Sequence, residues 1–412
     1  MKLSGGLSAA KVAVGLAALT LLLSSPATAN VLTEKAIYTS GEDGVTGLTA
    51  VRMVVVSPDG KNVYTAAEGD NAITVWSRAA DGSLTEIQVL QDGVDGVTGL
   101  SFVDNLSVSP DGHQVYAAGI KTESVSVFSR DSSGKLTLLQ QLVDGVDVPS
   151  GLNGVVFNTV SPDGLNVYTA ATLDGAVVVF ARNKRTGKLN PIQVLQEGVD
   201  GVTGLGGVFP ITVSYDGKNV YVGGRTDHTV LVYQRLKGGT LKLIQTLTEG
   251  VDGIRGIDGA RYITEAYEQN VVYVAGLVHN TVVVLQRDPA TGMLTDEIQV
   301  LIHKVNAGGL ASPSALVESY NHQHLFAAGF GSFAVDSFRR NSRTGLITSQ
   351  EQEIQDPGDD SLGLIEVTSL AMSPGGANLY AVATFSDTLV VFDIAENSHE
   401  THPVVPATGS DD

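Results

Sequence analysis

Arg52, Asp104 and Arg261 hold the same place in different copies of one repeated sequence pattern, where the remaining copies carry Val156, Phe209, Ser314 and Thr368. Two guanidinium groups facing one opening can grip a carboxylate or an oxyanion through paired N–H donors. A carboxylate beside them can form a structural ion pair or hold a ligand and move its proton. Asp258, shortly before Arg261, and Glu366, at the start of the last copy, are the other acids placed to reach a ligand there. Variation among the copies matters, because identical repeats cannot build an asymmetric pocket.

A second set of acids recurs in loops of the form Asp/Glu-Gly-Val-Asp: Asp92 and Asp95, Asp144 and Asp147, Asp200, and Asp252. Glu68, Asp70, Glu123, Asp174 and Asp227 join them on neighbouring loops. Such a ring of carboxylates would suit calcium, a hard cation that takes oxygen ligands, although the spacing is not that of an EF-hand. Asp-Gly pairs equally serve as plain turn formers on a solvated rim. The sequence leaves both readings open.

Other constellations carry less. His322 and His324 form a close pair on a turn, a candidate metal pair or a surface turn, and His399 and His402 lack the spacing that sets two imidazoles on one helical face. No nucleophile elbow, phosphate loop or dinucleotide fingerprint occurs in a strand-to-helix setting. The chain has no cysteine, which excludes disulfides, thiolate metal sites and a cysteine nucleophile.

The elements that must position these residues follow from the repeat. A Ser-Pro-Asp-Gly turn, a short strand ending near Val-Tyr, a β-branched strand closing on Arg, and a Gly-x-Leu-Thr turn define a pattern that aligns in seven copies, the fifth and sixth departing most, with Ala-Tyr-Glu-Gln at 266–269 and Ser-Tyr-Asn-His at 319–322 in place of the first turn. The anchor positions are Tyr64, Tyr116, Tyr168, Tyr221, Tyr273, Phe326 and Tyr380, spaced 52 to 54 residues apart. In the first copy, alternation and β-branched content predict strands A to D over 51–56, 62–66, 72–77 and 84–90. Four antiparallel strands in such a period make one blade of a propeller, so the chain is expected to be an all-β, seven-bladed β-propeller over 30–395. Strand A would line the central channel, with the D–A and B–C loops on one face and the A–B and C–D turns on the other. Trp76, in a C strand, reads as packing between blades.

The two ends of the chain are complementary. The seventh copy stops after its third strand, near Phe392, whereas residues 31–38 match the D strand of the first copy. Pairing them would close the ring and remove both exposed edges.

Residues 1–29 have the basic start, short apolar run and Ala27-Thr28-Ala29 ending of a secretory signal, so a periplasmic or extracellular location is expected. Losing Lys2 and Lys11 with that leader moves the formal charge from −19 to −21, with 23 basic against 44 acidic residues. Such a surface repels nucleic acid and anionic lipid, and no later stretch is apolar enough to insert stably in a membrane. A monomer is expected, with an acidic, disordered tail over 396–412.

The repeated Ser-Pro-Asp-Gly and Asn-Val-Tyr signature, with Thr-Gly-x-Leu turns such as 186–189 and 291–294, resembles the bacterial lactonase-like seven-bladed propellers, which overlap the YVTN-type repeat proteins. That resemblance covers nearly the whole chain after residue 30. It implies chemistry of the 6-phosphogluconolactonase or muconate-lactonising type, with polar residues at the channel mouth acting on a sugar-acid lactone or a dicarboxylate. The blade-building motifs carry no catalytic residue across. From the residues themselves the first reading is a binding or scaffold module that meets a protein or small-molecule partner through its acidic loop face. The alternative is a lactonase-type hydrolase at the channel mouth.

Overall fold

The structure, a computed structural model, describes residues 30–267 and 270–395. The expected leader, the tail with His399 and His402, and residues 268 and 269 lie outside the described residues. Twenty-eight strands, numbered in chain order, form seven four-stranded antiparallel sheets. The first complete blade is β2 (Val51–Val56), β3 (Asn62–Ala67), β4 (Ala72–Arg78) and β5 (Leu84–Gln91), each strand at most one residue longer than its sequence pattern predicts. The other inner strands are β6 (Val103–Val108), β10 (Val155–Val160), β14 (Val208–Val213), β18 (Ala260–Glu265), β22 (Pro313–Glu318) and β26 (Val367–Met372). Each touches its two neighbours around the axis, and β26 meets β2. The molecule is a closed seven-bladed propeller.

Closure is made as the chain ends predict. β1 (Leu32–Thr39) pairs antiparallel with β28 (Thr388–Ile394), from Leu32 opposite Ile394 to Thr39 opposite Thr388, and completes the sheet with β27 (Asn378–Ala383) and β26. No helix among the described residues is long and apolar enough to cross a membrane.

The repeated residues turn out to be the mortar between blades. In blade after blade the Arg that ends the third strand reaches back to the anchor Tyr of the preceding blade, as in Arg130 Nε to Tyr64 Oη (2.7 Å) and Arg182 Nε to Tyr116 Oη (2.7 Å). The same guanidinium pairs with the Asp of the preceding Ser-Pro-Asp-Gly turn, Asp59 for Arg130 and Asp111 for Arg182. Burial pushes the Tyr64 and Tyr116 hydroxyls up to about 12, so they stay protonated and donate onward, Tyr64 to the Gly134 carbonyl. Arg78 to Tyr380 (2.6 Å) carries the clamp across the closure. Between blades 6 and 7 both partners change together: Phe326 stands for Tyr and Ile394 for Arg, and the two join one apolar cluster with Val31 and Leu32. A second belt links the outer strands. Gln88, for example, accepts from the Leu136 N–H (2.8 Å) and donates to its carbonyl (3.0 Å). Gln352 does the same for Leu32 of β1, and Tyr38 Oη accepts from Leu84 N–H (2.8 Å) where the next Gln would stand. Trp76 is fully buried in a cluster spanning blades 7 and 1, as its sequence position predicts.

Candidate active site at the channel mouth

Every inner strand carries a register irregularity that begins at its second residue, between Val51 and Met53 in β2 and at the equivalent place in the others, extended by Pro210 to Ile211 in β14. A bulge of this kind unpairs one residue and re-aims its side chain. Here it turns Arg52, Asp104, Phe209, Arg261, Ser314 and Thr368 into the channel at the D–A face, where they line one small void of about 30 Å³. Val156, in the seventh place, is buried and does not line it.

Within that ring Arg52 Nε donates to Glu68 Oε2 (2.6 Å) and lies 3.8 Å from Asp104 Oδ1. Glu68 opens the B–C loop of blade 1, so loop and strand jointly fix the guanidinium. The Arg261 guanidinium lies over the Phe209 ring, 4.1 Å from its centroid, in a cation–π contact. Among the described residues Arg261 has no hydrogen-bond acceptor, and no donor reaches Asp104 within hydrogen-bonding distance; the Arg52 contact is longer-range. Burial raises the Asp104 carboxyl above its ordinary value, against the opposing pull of Arg261 and Arg52. Burial likewise brings Arg261 down to about 10, against the charge of Asp104, with Arg225 and Arg52 lowering it further. The ring therefore presents a charged guanidinium with unspent donors beside a carboxyl group with unspent lone pairs.

The other expected ligand residues are placed elsewhere. Asp258 turns to His228 Nδ1 and to His279 Nε2 (3.6 Å) instead of to Arg261. Glu366 sits on left-handed backbone (φ 63°) ahead of β26, and its carboxylate takes part in none of the ion pairs among the described residues. The six loop aspartates are not brought together. Asp92 and Asp144 accept the N–H groups of Leu100 (2.9 Å) and Leu152 (2.7 Å) inside their own loops, and Asp147 accepts from Val143 (3.0 Å). Asp95, Asp200 and Asp252 hold left-handed turn positions near φ 50°. Among the described residues no three carboxylate or imidazole groups gather as a metal site needs. His322 and His324 also part company, bonding to Glu318 (2.7 Å) and Glu351 (2.8 Å) respectively.

Sequence reasoning overlooked Arg225 and the His228/His279 pair beside Asp258. Arg225 occupies in blade 4 the B–C position that Glu68 holds in blade 1, so extending the repeat alignment into that loop would have found it. The two histidines occupy adjacent places in the same loop of successive blades, and nothing in their linear spacing marks that.

The sequence matches the family described as "Lactonase, 7-bladed beta-propeller" over residues 28–196, 154–305 and 211–362. A protein of Lactococcus lactis is 26% identical over 238 residues, covering 57% of this chain and 67% of its own length. The 6-phosphogluconolactonase of Pectobacterium carotovorum is 21% identical over 182 residues, 44% of this chain, and the match spans 52% of that enzyme. Among solved structures, the periplasmic gluconolactonase of Pseudomonas aeruginosa superposes with a TM-score of 0.61 at 18% identity over 80% of this chain and 88% of that one, a likeness of fold. The chain belongs to the lactonase family of seven-bladed β-propellers.

Proposed function

We propose that the protein hydrolyses the lactone of a sugar acid or related hydroxy acid at the channel mouth on its D–A face. The observation that carries this reading is the juxtaposition of Asp104 and Arg261, each without a hydrogen-bond partner among the described residues, around one void. At about 30 Å³ that void suits a water molecule and is too small for a lactone ring. The substrate would then sit on the loop side, with its carbonyl toward the guanidinium groups. Asp104 takes a proton from the water as its oxygen bonds to the carbonyl carbon, and Arg261 and Arg52 stabilise the oxyanion that forms. The ring C–O bond breaks, the departing alkoxide recovers the proton from Asp104, and the new carboxylic acid releases its own proton to solvent, leaving a carboxylate facing the arginines. Two relatives named for lactone hydrolysis, a 6-phosphogluconolactonase and a gluconolactonase, favour the same chemistry.

Purified protein assayed against a panel of sugar-acid lactones should open at least one of them. Arg261→Ala should then lower the rate about 10²–10³-fold, the usual cost of one oxyanion donor. A panel without turnover, or turnover indifferent to Arg261→Ala and Arg52→Ala, would reject the reading. The leader over 1–29 supports action outside the cytoplasm, and an N-terminus at Asn30 on the exported protein would test it.

A second reading, a binding module that uses the same loop face, draws on one feature. Val94, Val146, Val199, Val251 and Val305 project one from each of five successive D–A loops, 46 to 80% exposed. An inactive panel together with a partner lost on Val146→Asp and Val305→Asp would favour it.

A further inference from the structure

The opposite end of the channel departs from the repeat in a coordinated way. In blades 1, 2, 3 and 7 the A–B turn carries Pro58, Pro110, Pro162 and Pro374; in blades 4, 5 and 6 the same place carries Tyr215, Tyr267 and Tyr320. A tyrosine there brings a backbone N–H that proline lacks. The last residue of the inner strand changes in blades 5 and 6, to Glu265 and Glu318, from Val56, Val108, Val160, Val213 and Met372 in the others. Glu265 accepts the Tyr215 N–H (2.6 Å) and Glu318 the Tyr267 N–H (2.8 Å), each from the next blade. Arg287 and Arg340 in turn hold these two carboxylates. Buried charges thus fix the turns that carry Tyr215 and Tyr267.

Those side chains are directed toward the axis. The Tyr215 hydroxyl lies within electrostatic reach of the buried Glu318 and Glu265 carboxylates, of Tyr320, two blades away, and of Tyr262, inside the channel; blades so separated approach only near the centre. Tyr215 meets Tyr267 edge to face (5.2 Å), and Tyr267 stacks on His322 (5.3 Å). Tyr215 and Tyr320 remain 50% and 38% exposed. Between the inner strands at this end lies a chamber of about 330 Å³, within the range of small-molecule sites; Tyr262 lines it, as does Pro58, which holds in blade 1 the turn position of Tyr215 and Tyr320. Among the described residues no charged side chain lines it. Val55, Val108 and Leu370 give apolar wall, Thr212 gives a hydroxyl, and Ser107 and Asn158, hydrogen-bonded to each other, give a polar edge.

We propose that this end of the channel binds a neutral sugar ring, free or at the end of a glycan. An uncharged wall rejects a carboxylate or phosphate, which would be desolvated without a counter-charge. Mixed apolar and hydroxyl or amide lining fits a ring whose faces are C–H and whose edge is hydroxyl. Tyrosines supply an apolar face with a polar tip at the rim. The site is independent of the reaction proposed at the other mouth.

Saturation-transfer NMR with glucose, galactose and mannose, their disaccharides, and gluconate tests this directly. At least one neutral sugar should show saturable binding, weakened about tenfold by Tyr215→Ala or Tyr320→Ala and unchanged by Arg261→Ala. Both tyrosines are partly exposed, so the variants should fold, as circular dichroism will check. Binding to disaccharides alone would assign a glycan terminus, and binding to the monosaccharides a free sugar. Absence of transfer to every neutral sugar, transfer to gluconate only, or binding that survives both tyrosine variants or is lost in Arg261→Ala would overturn the proposal.

Discussion

Asp104 and Arg261 are shifted in opposite directions by one cause, since burial disfavours the charged form of either. The functional consequence is a base whose proton affinity lies nearer neutrality than that of an exposed aspartate, beside a guanidinium that is still charged well above neutral pH. A different buried acid offers a stability test. Asp336, fully buried in the sixth blade, has its Oδ2 without a hydrogen-bond partner, and burial, then the charge of Glu353, raises its carboxyl well above the ordinary value. A folded-state value above the unfolded one favours folding most at low pH, and that contribution is lost as pH climbs through the raised value. Asp336→Asn should therefore stabilise the protein by about 1–3 kcal/mol at neutral pH, with the gain vanishing near pH 4, as thermal melts across pH will show. Arg52, Asp104 and Arg261 were legible in the sequence because the repeat assigns all three one strand position. Asp336 was not, because a lone acid in a strand looks the same whether its side faces water or a neighbouring blade.

At the scale of the elements, the residues that make the repeat visible are the ones that join blades, which is why the fold was easy to read and the site was not. The clamp recurs at every junction but the one between blades 6 and 7, whereas a pocket needs blades that differ. Arg182 shows what the clamp contributes: its side chain is fully buried and holds Tyr116, Asp111 and the Gly164 carbonyl. Arg182→Ile alone should cost about 3–5 kcal/mol, since it leaves polar partners buried without a donor. Adding Tyr116→Phe reproduces the Phe326 and Ile394 pairing of the sixth junction, and the double variant should be less destabilised than the sum of the two single ones. A denaturant-unfolding cycle with strictly additive effects would contradict the coupling. Legibility failed at the bulges for a geometric reason. An extra residue in a strand leaves no mark in hydrophobic alternation this short, although it decides which side chain enters the channel.

For the whole molecule, closure by β1 is what holds the seven bulge residues in one ring. Deleting residues 31–38 removes the β1–β28 ladder, the Gln352 bridge to Leu32 and the Tyr38 contact to Leu84, and bares β28 as an edge. The truncated chain should melt well below the intact one and aggregate on heating; an unchanged melting curve would contradict the closure. The complementary chain ends made this legible from sequence alone. The way the ring places the two histidines around Asp258 was not, because residues about 20 to 50 apart in the chain meet there only once the blades have curved. The account as a whole turns on whether Asp104 moves a proton at the channel mouth. The pH profile of kcat/KM for lactone opening, in intact protein and in Asp104→Asn, tests this most directly. The rate should rise with pH as Asp104 ionises and then level, and Asp104→Asn should lose about 10²–10⁴-fold in rate together with that rise. A profile unchanged in Asp104→Asn would contradict it.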